Sequence, residues 1–461
     1  MRILLQFVVW TIVATVAGLA AMGAAVERRV STADGERIYL HSEALPVKEA
    51  APVLVFLHGN EQAGIDTVKN YFAQWEKQAR AEGWHLVLPW NEGHYSFSSD
   101  SGVRSVQAIL KDFAATHAVD PRRIYLVGHG DSAPAVFYGL SRLPDQWAAG
   151  LAIGGDMAKA IDSNRLFAGN AAAIPILWIY EEDRLRLLQQ TITRLQQAGL
   201  KLKLQAADEF TVEEAMLWLK PHRSERLPTR VDYETGSPIF AGAYWLRIRG
   251  FDFSLRNDAL DSTRVDPGTG AFLRLGGFGY DPDGGGPGLA VKWLPEKYKG
   301  PLQKEDVIVS IAGTMIEDAR HYSDFMGQQK ESRDVGIILL RGGKSQRIET
   351  RIVIPHRDEM ETARVHGEFL AEAKEIMLVS RGVRSMNVEV PQEWAPVRLT
   401  WNGLELSTAA EYGCWTLEEG VAKATKGCAA ALSEPSGGAP EKQSGRQQTD
   451  RPRKHGKAGA R

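Results

Sequence analysis

The residues best placed to do chemistry fall in one short run, Gly128-His129-Gly130-Asp131-Ser132. A serine hydroxyl attacks a carbonyl only when a base takes its proton and an acid orients that base. The run supplies the first two residue types, Ser132 and His129. A second chemical pair lies near the end of the chain. Cys414 and Cys428 are the only thiols and stand fourteen residues apart. In an oxidising compartment they are expected to pair, and a loop of that size contributes about 3 kcal/mol in the chain-entropy model. Two free buried thiols are the alternative. The sequence shows no phosphate-binding loop, no H-E-x-x-H spacing and no zinc cluster, so no metal and no cofactor is expected.

Holding such groups requires a frame, and the sequence between 31 and 222 reads as one. Residues 52–57 are a continuous apolar run of strand length, as a buried parallel strand requires. Val68, Phe72, Trp75 and Ala79 then recur at helical spacing. Residues 85–88 read as strand, and Val103, Val106, Leu110 and Phe113 mark another helix. Strands follow at 124–127 and 175–180, then a helix carried by Leu185, Leu188, Ile192 and Leu195. A last strand at 200–204 leads to a helix over 211–219. This alternation predicts an α/β domain with a parallel sheet covered on both faces.

Two junctions in this domain resemble the α/β-hydrolase family. Phe56-Leu57-His58-Gly59-Asn60 is similar to the His-Gly segment that carries an oxyanion-hole amide, which implies that role for Gly59. Residues 123–133 look like the strand, sharp turn and helix of the nucleophile elbow in secreted esterases and polymer depolymerases. The elbow pattern is G-x-S-x-G. Counted from Gly128, its nucleophile position holds Gly130 and its closing-glycine position holds Ser132. Glycine has no side chain to attack a carbonyl. Ser132 falls where the following helix begins; helix capping or packing is the preferred reading, and a displaced nucleophile is the other. The resemblance places the acid after the strand ending at Tyr180, where Asp183 matches; an ordinary N-cap explains Asp183 equally well. It places the histidine after the last strand, yet residues 205–210 contain none, and His222 comes too late. His129 is read as structural, with a place near a residual pocket as the alternative. Two of three triad positions have lost their chemistry. A pseudo-hydrolase is expected, and residual catalysis by Ser132, His129 and Asp183 with the Gly59 amide is the runner-up.

Residues 265–356 resemble a PDZ domain of the bacterial periplasmic type. The resemblance rests on the run from Leu302 to Gly313, with Glu305 where the family usually has glycine. It implies capture of extended peptides or protein C-termini. Residues 286–291 match the family's carboxylate-binding loop, which points to Gly288, Leu289, Ala290 and Val291. The strand edge near 290–293 would then pair with the peptide, and Leu289, Tyr322 and Phe325 would line the side-chain pocket. Plain core packing of these side chains, and a groove used only within the molecule, are the alternatives.

The flanks 223–264 and 365–430 read as a small β domain interrupted by the PDZ-like one. Strands are expected near 243–248, 376–379, 385–390 and 397–401, with Asn402-Gly403 as a tight hairpin turn. Met1 to Ala25 has one charge, Arg2, and an apolar run ending in Gly23-Ala24-Ala25, as a secretory signal does. A retained membrane anchor is the alternative; either way the body lies outside the cytoplasm, periplasmic or extracellular. Residues 433–461 carry seven Lys/Arg against three acids and no large apolar side chain, so a disordered basic tail is expected. The whole chain is 461 residues, 44% apolar and 24% charged, with net charge −2. That profile excludes a disulfide scaffold and gives no sign of nucleic-acid binding. The sequence therefore predicts an exported multi-domain protein. Its partner is a peptide or protein C-terminus, and a secreted carboxylesterase with a non-standard nucleophile is the other reading.

Overall fold

The computed structural model describes residues 25–44, 49–59, 62–91, 93–182, 185–281, 284–356 and 360–428. Nearly all of the expected signal, the basic tail and the candidate acid Asp183 lie outside these residues. Among the described residues no helix is long and apolar enough to cross a membrane.

The N-terminal part is built on an eight-stranded sheet. Its strands are β1 (Val26–Thr32), β2 (Gly35–Ser42), β3 (Ala51–Leu57), β4 (His85–Trp90), β5 (Val119–His129), β6 (Ala149–Ile153), β7 (Ile176–Tyr180) and β8 (Leu202–Ala206). They lie in the order β1-β2-β4-β3-β5-β6-β7-β8. The β1–β2 and β2–β4 pairs are antiparallel, and every other pair is parallel. Side-chain alternation explains why both faces are covered. Val53 and Val55 of β3 join one buried cluster with Val103, Val106 and Phe113 of the helix Asp100–Ala114. Leu54 and Phe56 join the other, with Val68, Phe72, Trp75 and Ala79 of the helix Ile65–Ala81. The helical spacings read from the sequence thus mark the faces that pack.

Two elements are not legible in the sequence. The β1–β2 hairpin adds an antiparallel edge, and Ala149–Ile153 forms a central strand of Ala, Gly, Leu and Ile. Small residues weaken the strand signal of β6. They are small because helix side chains lie on them: a Cβ at Gly150 would come within 2.6 Å of Val136 Cγ1.

The rest of the described chain forms two further sheet systems. Residues 230–251 and 363–426 make two five-stranded sheets. Their facing sides enclose one cluster that includes Trp245, Trp394, Trp401 and Trp415. The strands expected near 376–379, 385–390 and 397–401 lie in these sheets, whereas the one expected near 243–248 is a hairpin in which Gly242–Ala243 pairs with Leu246–Phe251 across a turn at Tyr244 and Trp245. Cys414 and Cys428 are joined by a disulfide, with 5.3 Å between their Cα atoms. The intervening segment, 272–353, is a separate sheet with its own core and the helix Ala319–Gly327. Glu234, fully buried, ties the insertion's entry to the two-sheet unit. Its carboxylate accepts from the Ser262 and Thr362 hydroxyls and from the Thr263 amide, and Arg381 pairs with it.

Candidate functional site

At the end of β5 the chain leaves His129, makes a one-turn 3-10 segment at Gly130–Ser132, and enters the helix Pro134–Arg142. Gly130 has φ +53°, in the left-handed region that side chains other than glycine resist. The backbone therefore keeps the sharp turn of an elbow, while the position that would carry a nucleophile carries no side chain. A Cβ built there would stand 3.1 Å from the Gly59 carbonyl oxygen and 3.4 Å from its Cα.

The groups around the turn are used by the protein itself. The amide following the nucleophile position is half of an oxyanion hole in the elbow pattern. Here that amide, Asp131 N–H, donates to the Gly59 carbonyl at 3.0 Å. Ser132 is fully buried, and its hydroxyl donates to the His58 carbonyl at 2.6 Å. Of capping and packing, the two roles expected for Ser132, the structure shows packing. It caps no helix amide; it ties the β5 turn to the end of β3. Gly155, at φ +73°, closes the other side, since a Cβ there would fall 2.3 Å from the Gly130 carbonyl oxygen.

His129 lies against the same loop. Its Nδ1 is buried without a partner, and a Cβ on Gly59 would come within 2.3 Å of it. The ring rests on Tyr71 with centroids 5.3 Å apart. Burial lowers the His129 pKa, with the nearby Glu181 charge opposing that shift. His129 and Ser132 do not hydrogen-bond each other. The structure thus brings Gly59, His129 and Ser132 together, in a packed arrangement in which Ser132 and the Asp131 amide are already engaged. Asp183 lies outside the described residues.

The inserted sheet presents the opposite situation, and there the structure corrects the sequence. Its strand order runs Phe272–Leu273, Lys344–Val353, Arg333–Arg341, Val307–Ile311, Leu289–Trp293, Gly279–Tyr280. The strand Leu289–Trp293 therefore has neighbours on both sides: Val307–Ile311 pairs with Leu289 and Ala290, and Gly279–Tyr280 pairs with Val291 and Trp293. The Gly288 amide is also occupied, donating to the Glu317 carbonyl at 2.9 Å, and Pro287 has no N–H to offer. Leu289 and Val291 point into the core, at 1% and 0% exposure. Ala290 is held in register opposite Val307. Within the stretch expected as carboxylate loop and strand edge, the protein's own chain thus takes the Gly288 amide and the edge at Val291 and Trp293.

The open edge is one strand further out, at Gly279–Tyr280. Its preceding turn, Gly276 and Gly277, is exposed, and these two amides donate to no group among the described residues. Tyr280 faces Tyr322 of the helix Ala319–Gly327 edge-on, with centroids 5.5 Å apart. Phe278 and Phe325 are partly buried beside them. Of the residues singled out from sequence, Val291 pairs with Tyr280 of this edge strand, and Tyr322 and Phe325 of the bordering helix stand beside it. The signal that marks it, Leu275-Gly276-Gly277-Phe278-Gly279, is overshadowed in sequence by the longer glycine run at 284–288.

No protein-family model and no curated protein matches this chain. Among solved structures it is similar to a thermostable esterase, at 17% identity over 43% of this chain and 63% of that one, with a TM-score of 0.35. An S-formylglutathione hydrolase from Staphylococcus aureus is similar at 8% identity over 42% of this chain and 98% of that one, with a TM-score of 0.36. The Francisella virulence factor BioJ is similar at 10% identity over 47% and 91%, with a TM-score of 0.34. These neighbours include proteins named as esterases and hydrolases, and the chain itself has mixed α/β architecture. The chain spans a little under two thirds of the esterase, and likenesses at this level assign no activity.

Proposed function

We propose that this is an exported binding protein in which an α/β-hydrolase-like domain serves as a non-catalytic scaffold and a PDZ-like domain captures extended peptide ends. The observation that carries the first half is the Asp131 amide bonded to the Gly59 carbonyl beside a nucleophile position occupied by Gly130. Oxyanion stabilisation needs amides directed at the developing charge, and a serine mechanism needs an unengaged hydroxyl next to a base. The second half is supported by an unpaired strand edge, a bordering helix and two exposed unpartnered amides. A peptide strand can add to the Gly279–Tyr280 edge while its terminal carboxylate takes the Gly276 and Gly277 amides. The disulfide and the absence of a membrane-spanning helix among the described residues fit an exported, soluble chain.

The catalytic half is tested with p-nitrophenyl esters and a fluorophosphonate probe. The purified protein is expected to turn over no ester above background and to take no covalent label. Label on Ser132 would establish the other reading, a carboxylesterase-type hydrolase with a displaced nucleophile. The binding half is tested on an array of peptides with free and amidated C-termini. Retention that requires the free carboxylate supports it, and indifference to the carboxylate overturns it.

A further inference from the structure

The groove between the open edge strand and its bordering helix carries hydroxyls that the fold does not use. Tyr280 of the strand Gly279–Tyr280 meets Tyr322 of the helix Ala319–Gly327 edge-on, with ring centroids 5.5 Å apart. Tyr322 is 8% exposed, and Tyr280 is partly buried. Neither hydroxyl has a hydrogen-bond partner among the described residues, and neither is closed off from water. Buried tyrosines elsewhere use theirs inside the fold: Tyr138 donates to Asp100, and Tyr233 donates to the Phe240 carbonyl. Burial raises the pKa of both groove phenols, and no charged side chain contributes to either shift. The pair is thus polar, neutral and unanswered.

The neighbouring side chains fix which part of a peptide would meet this pair. Phe278 precedes Tyr280 by two residues, so the two fall on one face of the strand, with ring centroids 6.3 Å apart. Phe325 follows Tyr322 by three residues, on the same face of the helix. Both phenylalanines are partly buried. A peptide whose terminal carboxylate takes the Gly276 and Gly277 amides ends where the edge strand begins and runs antiparallel to it. Alternation then turns its last side chain toward Phe278 and the side chain two residues earlier toward Tyr280 and Tyr322.

Three kinds of side chain could occupy that second place. An apolar one would cover both hydroxyls and leave them without water or partner, which costs their desolvation with no return. A carboxylate would accept from both, but its charge would be buried with no cation to pair it. A primary carboxamide satisfies both, since each phenol can donate or accept: one donates to the amide oxygen, and the other accepts from the amide NH2. The two methylenes of glutamine then lie against the rings. We propose that the groove selects peptides carrying glutamine two residues before a free carboxyl end, read by the hydroxyls of Tyr280 and Tyr322. This inference rests on the peptide-capture reading of the inserted sheet.

The test measures fluorescence anisotropy of the labelled peptides Ala-Ala-Ala-Xaa-Ala-Leu on the full chain at pH 7, with Xaa as Gln, Glu or Met. The three side chains are nearly equal in length and differ in charge and hydrogen bonding. The Gln peptide is expected to bind roughly ten-fold tighter than either of the others. Tyr322→Phe keeps the ring and removes the hydroxyl. It should bring the Gln-to-Met ratio close to one with the melting temperature in place, and Tyr280→Phe should narrow the ratio in the same way. Equal affinity for all three peptides would overturn the selectivity while leaving peptide capture standing. So would a Gln preference that survives in both variants. Binding of none of the three, or binding that persists when the terminal carboxyl is amidated, would overturn peptide capture and this inference with it.

Discussion

The β5 turn and the Gly279–Tyr280 edge are both places where backbone amides stand near glycine, yet they differ in what those amides do. At the β5 turn the Asp131 amide and the Ser132 hydroxyl both bond carbonyls of the neighbouring β3 loop. At the inserted sheet Gly276 and Gly277 are exposed, and their amides donate to no group among the described residues. A hydrogen-bonding group already satisfied inside the fold contributes to stability; one left over at the surface is what a ligand can use. The two regions therefore separate structure from recognition by the state of their donors rather than by residue type.

The sharpest way to break that contrast is to disturb the closed turn. Gly155→Val puts a Cβ within 2.3 Å of the Gly130 carbonyl at a positive φ. If the turn is packed as core, the cost is on the order of 3 kcal/mol or more. Thermal unfolding followed by circular dichroism should show a fall of many degrees, and an unchanged melting temperature would mean that the turn is an open site. Next in size is Gly277→Pro, which removes one free amide. A Cβ there meets only Pro295 Cγ, at 3.7 Å. Loss of a hydrogen bond to a charged carboxylate is worth about 1.5–3 kcal/mol, so peptide affinity by calorimetry should fall roughly ten- to hundred-fold. The melting temperature should stay where it was.

Ser132→Ala sharpens the comparison from the other side. Removing the hydroxyl leaves the buried His58 carbonyl without that donor, at a cost of about 1–3 kcal/mol in chemical denaturation. Peptide binding should be untouched. Gly130→Ser, tested beside it, should yield no ester hydrolysis, because the Asp131 amide would still be held by Gly59.

How far this contrast can be read from sequence depends on the range of the interactions involved. The sheet and its covering helices are legible because alternation and helical spacing are local, and every buried residue read from the helix Ile65–Ala81 packs inward. The elbow is legible as a turn because its glycine spacing is local too. Whether Ser132 and the Asp131 amide are engaged is not, because their partners, His58 and Gly59, lie more than seventy residues away. The same holds for the inserted sheet. A glycine run is visible at 284–288, but the bond from Gly288 to Glu317 and the strand that pairs with Val291 and Trp293 arise only from tertiary pairing.

A third situation extends the comparison to its smallest expected effect: a polar group left over inside rather than at the surface. His41 of β2 is 3% exposed, and neither ring nitrogen has a partner. It sits among His117, Arg28, Glu43 and His85 and touches Phe113 edge-on. Burial, reinforced by the positive charges of His117 and Arg28, lowers its pKa to about 4. The folded form therefore binds fewer protons than the unfolded chain between that value and the ordinary histidine value near 6.5. His85, also buried, is shifted in the same direction. Stability contributed by the neutral rings is complete above about pH 6.5 and declines as the pH falls through that window, levelling off below about pH 4. Denaturation midpoints measured from pH 7.5 to 4 should trace this fall, and His41→Phe should flatten it while changing neither peptide affinity nor ester background. An equally steep fall in His41→Phe would place the acid sensitivity elsewhere. It would also show that an enclosed, unpartnered histidine can persist in this fold at no measurable cost, against the rule that separates the β5 turn from the open edge.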